Sequence, residues 1–234
     1  MLNWLRLVFV AGGIAAAATA QHTPPLDPPS VRPEHPRLVF RGANASGPGR
    51  TIDEVRRLYQ NDTAFRSIFG IALKECEAAR EPAMAASCWI VSGEDKFAQA
   101  AARMLDNTPI TESGSGSYSN VWSFALAWDW LYDHPALSGG LRDRAATRIA
   151  ERLHTELAQL DDTGMALWHG RNQAANGAMI AALALAGLPG QDTELKRATG
   201  HYAGALRALN FSEGWPEGPS YWIYNRALPY AMAA

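Results

Sequence analysis

Cysteine is scarce in this chain: Cys76 and Cys88 are the only two in 234 residues. No CxxC pair and no Cys/His spacing suited to a structural metal occurs. A helical hairpin can span the segment between the two cysteines. A disulfide and two buried free thiols both fit that spacing. Positive charge is also short, with 21 Lys and Arg against 23 Asp and Glu and a net charge of -2. That balance argues against a nucleic-acid partner, which needs a basic face. It leaves an anionic sugar open, because a local Arg cluster can serve in an acidic protein. Alternation with period two is missing after Phe40, which argues against a large sheet. No internal repeat of fixed period is present, so an array of the tetratricopeptide kind is not expected.

The first twenty residues read as a secretory signal peptide, residues 1–20. Arg6 supplies the positive start, Leu7 to Ala18 the apolar stretch, and Ala18-Thr19-Ala20 the small-x-small cleavage site before Gln21. The apolar stretch is short for a membrane span. Removing Arg6 with the signal takes the net charge from -2 to -3. The expected compartment is periplasmic or extracellular. Asn44-Ala45-Ser46, Asn61-Asp62-Thr63 and Asn210-Phe211-Ser212 match the glycosylation triplet, a weak signal.

Residues 21–50 form a proline-rich, extended arm, in which Arg37-Leu38-Val39-Phe40 suits a short strand or a docking segment. From Thr51 the spacing turns helical, and Thr51 with Glu54 fits a capping box. Residues 62–80 place Phe65, Ile68, Phe69, Ala72, Leu73 and Cys76 on one helical face. Met84 to Asp106 reads as a helical hairpin broken at Ser92-Gly93. Ala178 to Leu209 repeats that plan around Gly187-Leu188-Pro189-Gly190. Between them lie Val121 to Tyr132 and Leu141 to Leu160. The expectation is an all-α fold, an incomplete (α/α) toroid of helical hairpins, over residues 51–234. Ala227 to Ala234 is apolar with no stop signal, so the toroid is expected to be truncated at the C-terminus.

Three segments carry chemistry. Trp168-His169-Gly170-Arg171-Asn172-Gln173 lies at the start of a helix predicted over 172–186. Such a terminus favours a bound anion. Asn172 can donate to a carboxylate and His169 can carry a proton near neutral pH; the competing reading makes Asn172 the helix cap and His169 a surface residue. Glu217-Gly218-Pro219-Ser220-Tyr221-Trp222-Ile223-Tyr224 follows a stiff loop, with Tyr221 and Tyr224 on one helical face. A tyrosine there can act as general acid or base if Arg171 or Arg226 lowers its pKa. Trp215, Tyr221, Trp222 and Tyr224 offer rings for sugar faces to stack on. The third segment, Trp122 to Asp133, is aromatic core with Asp129 and Asp133 one turn apart. Paired carboxylates suit a glycosidase. The alternative is that Asp133 ends the helix before Pro135 and Asp129 bonds a neighbouring Trp or backbone group.

Taken together, His35-Pro36-Arg37-Leu38-Val39-Phe40, Trp128-Asp129-Trp130-Leu131-Tyr132-Asp133, the Trp168 to Asn176 segment and Glu217 to Tyr224 resemble the N-terminal helical domain of the heparinase II/III-like polysaccharide lyases. The resemblance spans nearly all of the chain after the signal. It implies an incomplete α/α toroid followed by a C-terminal β-sandwich domain, and β-elimination on a uronic-acid polymer. It implies that Asn172 or His169 neutralises the uronate carboxylate and that Tyr224, with Tyr221 close behind, moves the proton. Trp168, Arg171, Gln173, Glu217, Tyr221, Trp222 and Trp122 are the expected substrate-binding residues. The partner is an acidic polysaccharide, and no cofactor is expected in this segment. A toroid glycoside hydrolase using Asp129 and Asp133, or a non-catalytic glycan-binding module, are the alternatives.

Overall fold

A computed structural model describes residues 27–43, 46–47, 49–112, 119–162 and 169–211, without the side chains of residues 71, 72, 169 and 208–211. The expected signal, the apolar C-terminal segment, Trp168, Glu217, Tyr221, Trp222 and Tyr224 lie outside the described residues. Among the described residues the protein is all-α. Eight helices are joined by short links: α1 Ile52–Asn61, α2 Thr63–Leu73, α3 Pro82–Ser92, α4 Asp95–Asn107, α5 Val121–Trp130, α6 Gly140–Asp162, α7 His169–Leu185 and α8 Gln191–Phe211. The only sheet described is a parallel pair, β1 Phe40–Arg41 and β2 Arg50–Thr51, with Phe40 opposite Arg50 and Arg41 opposite Thr51. None of these helices is long and apolar enough to cross a membrane.

The helices stack as two rows. In the first row α3 packs on α5 and α5 on α7; α4, α6 and α8 form the second row. The first-row helices are apolar nearly all round, as helices enclosed by neighbours must be. Ala83, Ala85, Ala86, Ala125, Ala127, Ala174, Ala175, Ala178, Ala181 and Ala182 are all buried there and let the backbones approach closely. The second row is amphipathic, with Ala145, Ile149, Leu153, Leu157 and Leu160 of α6 turned to the core. Ser123 Oγ near the start of α5 accepts from Ala83 N near the start of α3 at 3.1 Å. Gly177, midway along α7, lies against Val121 and Trp122 at the start of α5. The first-row helices therefore start toward one end, with α7 reaching about two turns beyond the start of α5.

Local signals set the boundaries. Thr51 Oγ1 accepts from Glu54 N at 3.1 Å. The Glu54 carboxylate accepts from Thr51 N at 2.7 Å. Together these two bonds make the predicted capping box. Gly93 ends α3 in the left-handed region, at φ 75°. A side chain is disfavoured in that conformation. Arg56 caps the same terminus by donating to the carbonyls of Ile90 and Trp89.

The helix expected over 62–80 is shorter than its pattern suggests. It stops at Leu73, and Cys76–Ala78 forms a separate 3-10 turn. The Cys76–Cys88 disulfide, with Cα atoms 5.9 Å apart, draws that turn onto α3. Its predicted apolar face is only partly covered: Cys76 is buried, Phe65, Phe69 and Leu73 pack half-buried against the core, and Ile68 is 69% exposed. Of the two cysteine readings, the disulfide is the one realised.

The arm docks through a single carboxylate. Asp129 of α5 is fully buried and accepts from Arg37 N (3.1 and 3.0 Å), Leu38 N (2.9 Å) and the His35 ring Nδ1 (2.6 Å). Arg37 donates to His35 Nε2, so the His35 proton sits on Nδ1, facing Asp129. The Arg37 guanidinium continues to the Ala186 carbonyl at 3.0 Å, just past α7. Trp130 Nε1 donates to Leu38 O at 2.9 Å. Between these ties Val39 holds φ 64° and Phe40 N donates back to Leu38 O. This is a γ-turn that a β-branched residue adopts only under constraint.

Asp129→Asn would set an amide N–H against backbone N–H donors. It should cost about 3 kcal/mol of stability, read as a lower urea midpoint; an unchanged midpoint would show that the anchor is dispensable. Replacing both Cys76 and Cys88 by Ser opens the cross-link and should lower stability by about 3 kcal/mol on the chain-entropy estimate for so short a loop. Comparing the variant with the parent protein, with and without reductant, checks this.

Candidate functional site

Helix α7 begins at His169, three residues before the predicted start, so Asn172 stands inside its first turn and is not its cap. The side chain turns inward. Asn172 is 2% exposed and Asn176, one turn on, is 1% exposed. Gln173 lies beside them, partly buried. Among the described residues Asn172 Nδ2, Gln173 Nε2 and Asn176 Oδ1 have no hydrogen-bond partner. Buried polar atoms are almost always paired, and each orphan costs about 1–3 kcal/mol. These three fall on two adjacent turns of one helix.

The surroundings of this amide row are close-fitting. A Cβ added at Gly177 would lie 3.8 Å from Val121 Cγ1, 3.9 Å from Trp122 Cδ1 and 3.9 Å from Glu156 Oε1. These are ordinary van der Waals distances, so alanine would fit there as well as glycine. Trp122, a predicted substrate-binding residue, is half-buried at the start of α5. Glu156 of α6 is fully buried. Its Oε1 accepts from Ser119 N at 3.2 Å and its Oε2 bonds the Ser119 hydroxyl at 2.5 Å. Burial pushes the Glu156 acid up to about 7, against the Ser119 hydrogen bonds and the nearby Arg152, which favour the ion. Tyr202 of α8 is buried with its hydroxyl unpartnered, and burial raises its pKa.

Arg171 is committed to structure. Its Nη1 donates to the Leu160 carbonyl at 2.8 Å, and Nη2 lies 3.4 Å from His201 Nδ1. Burial lowers its pKa. His201 Nε2 in turn contacts Asp161 at 2.7 Å, and Arg197 bonds Asp161 and Glu194. This network ties α6, α7 and α8 together and places Tyr202 at the same end as the amide row.

Of the predicted site residues, the fold gathers Asn172, Gln173, Arg171 and Trp122 at that end. His169 opens α7, but its side chain is outside the described residues, as are Trp168, Glu217, Tyr221, Trp222 and Tyr224. The fold does not bring the two carboxylates to one cleft, and of the two readings of Asp129 the backbone-bonded one matches the geometry. Asp129 is enclosed and its oxygens are occupied by the arm, whereas Asp133 is exposed on a separate groove of about 230 Å³ beside His35, Arg56 and Trp89. No cluster of three or more His, Cys, Asp or Glu side chains suited to a metal occurs among the described residues.

Asn176, Tyr202 and Glu156 were missed in the sequence. Asn176 follows Asn172 by four positions in an alanine-rich run, and Glu156 occupies a core position in the Ile149, Leu153, Leu157, Leu160 series. A polar residue at a position where periodicity demands an apolar one was the available signal. Neither a protein-family model nor a curated protein matches the chain.

Because Asn172 Nδ2 has no partner among the described residues, Asn172→Leu should leave thermal stability unchanged or raise it by up to about 1 kcal/mol. A calorimetric loss larger than that would show that the amide serves the fold.

Proposed function

We propose that the chain is the helical part of a polysaccharide lyase that cleaves uronic-acid glycans by β-elimination, in a periplasmic or secreted setting. The observation that carries the reading is the buried, unpartnered donor of Asn172 at the start of α7. An amide in the first turns of a helix, where the macrodipole favours negative charge, is a site for a carboxylate. The unpartnered Asn176 and Gln173 atoms add an acceptor and a donor for sugar hydroxyls. The two rows of hairpins, with first-row helices starting toward one end, are what an incomplete α/α toroid requires. The resemblance to the heparinase II/III-like lyases supports the same assignment, and the Cys76–Cys88 disulfide fits an oxidising compartment.

In this reading Asn172, or His169 beside it, hydrogen-bonds the uronate carboxylate. That spreads the charge that develops when the C5 proton leaves, a contribution of several kcal/mol in a site that excludes water. Tyr224, with Tyr221 near it in sequence, takes the C5 proton or returns one to the leaving oxygen. The C4–O bond breaks as the C4–C5 double bond forms. Trp122, Trp168 and Trp222 supply stacking faces, and Glu217 and Gln173 supply hydroxyl contacts. Arg171 holds α7 to α6. A β-sandwich domain following in the complete protein would close the other side of the cleft.

The test is incubation with alginate, chondroitin, heparan sulfate and polygalacturonate, read by the ultraviolet absorbance of the new double bond. Absorbance should rise with one of them. Asn172→Ala should slow it about 10²–10³-fold, the effect of losing one donor to a developing anion. New reducing ends without absorbance would mean hydrolysis, and retention on the polymer without product would mean a binding module; either result replaces the lyase reading.

A further inference from the structure

The elbow between α1 and α2 holds a groove of about 540 Å³. Arg50 of β2 stands at one end of it. Glu54, Arg57, Leu58 and Asn61 recur at helical spacing, so one stripe of α1 forms the floor. Two helices, α3 and α5, pack between α1 and α7. At about 9 Å for each packed pair, the groove lies roughly 20 Å or more from the amide row. The two are separate surfaces.

The lining holds both signs of charge, yet only the positive ones are uncommitted. Glu54 Oε2 accepts from Thr51 N at 2.7 Å, and the Arg41 guanidinium stands 3.4 Å from the same carboxylate. Asp62 Oδ1 accepts from Phe65 N at 2.9 Å, where the positive end of the α2 dipole offsets its charge. The neighbouring arginines are spent on the fold. Arg41 Nε donates to the Gly49 carbonyl at 2.8 Å, Arg56 to the Ile90 and Trp89 carbonyls, and Arg66 to the Tyr59 and Gln60 carbonyls. The guanidinium groups of Arg50 and Arg57 make no hydrogen bond or ion pair among the described residues, and both residues are exposed in the groove.

We propose that this groove is a second binding site for an acidic glycan, in which Arg50 and Arg57 hold carboxylates of a chain whose cleavage takes place elsewhere. The inference rests on the reading of the substrate as a uronic-acid polymer.

The groove answers each part of such a sugar. A guanidinium offers two parallel N–H donors that match a carboxylate. Half-buried Leu58 gives an apolar patch for a ring face, and the Asn61 amide and Thr63 hydroxyl suit ring hydroxyls. The volume falls in the range of small-ligand sites, about 300–1,000 Å³. A polymer held here meets the amide row at raised effective concentration. Both arginines are open to solvent, so the attraction weakens as salt rises.

The experiment follows the side-chain amide signals of Asn61 and Asn172 by nuclear magnetic resonance in the whole protein, assigned from Asn61→Ser and Asn172→Leu. The probes are oligomers of galacturonate and of mannuronate, with a maltodextrin of equal length as the neutral control. The Asn61 amide should shift with a uronate oligomer and stay still with maltodextrin. Arg50→Gln together with Arg57→Gln should weaken that binding roughly tenfold, the worth of two exposed charge pairs. An Asn61 signal that ignores both uronates, follows maltodextrin equally, or responds identically in the double variant overturns the proposal. Inorganic phosphate shifting Asn61 as fully as the oligomer, at equal charge, also overturns it, because simple ion pairing would then suffice. The Asn172 signal keeps the two readings apart. Movement at Asn61 alone supports the groove and counts against the amide row as a glycan site. Movement at Asn172 alone overturns the groove and leaves the lyase reading standing.

Discussion

One carboxylate holds this fold in register. Asp129 gathers two backbone N–H groups and a histidine from an arm almost a hundred positions earlier in the chain. A buried anion requires such donors, because an unpaired one would cost several kcal/mol. Its demand fixes the path of His35 to Leu38. That path sends Arg37 on to the Ala186 carbonyl, just past the end of α7, and lays the Leu38 carbonyl on Trp130. The γ-turn at Val39, the short β1–β2 pair and the cap of α1 all follow from the place where the arm leaves this anchor. An arm without a hydrophobic repeat of its own thus becomes the strap that joins α5 to the end of α7.

The second constraint is closeness. Alanine and glycine on the first-row helices let their backbones approach, and Gly177 faces the place where α5, α6 and α7 meet. Close packing normally excludes polar atoms. Here the starting end of the first row retains an amide row, a tyrosine hydroxyl and a buried acid. Atoms left unpartnered in the interior oppose stability, and proteins keep them where a ligand completes their bonding. Fold and candidate site therefore meet on the same two turns of α7. The small residues set the distance, and the amides use it.

Much of this was written in local pattern. The capping box at Thr51 and Glu54, the stop at Gly93 and the apolar runs of α5 and α7 depend on neighbours within a turn or two, and periodicity exposes them. Asn172 and Trp122 stood out because polar and aromatic groups beside an apolar run are conspicuous. The face of α2 was legible except at Ile68, because an apolar stripe shows what a helix offers and not how far a partner covers it. Asp129 and Asp133 left two readings open, a catalytic pair or a backbone-bonded Asp129, and the second holds. Their spacing is that of a catalytic pair, yet one carboxylate faces backbone donors that lie far away in sequence.

The sequence by itself determined that the chain is helical, roughly where each helix begins, and that two polar segments needed explaining. Those are local properties of propensity, capping and period. Only the tertiary structure decided which acid is an anchor, that Cys76 meets Cys88, that Glu156 lies under Gly177, and that Asn176 and Tyr202 share the end that Asn172 occupies. Each of these turns on what surrounds a side chain after distant segments pack. Burial and the choice of hydrogen-bond partner are properties of that packing and have no counterpart in the order of residues alone.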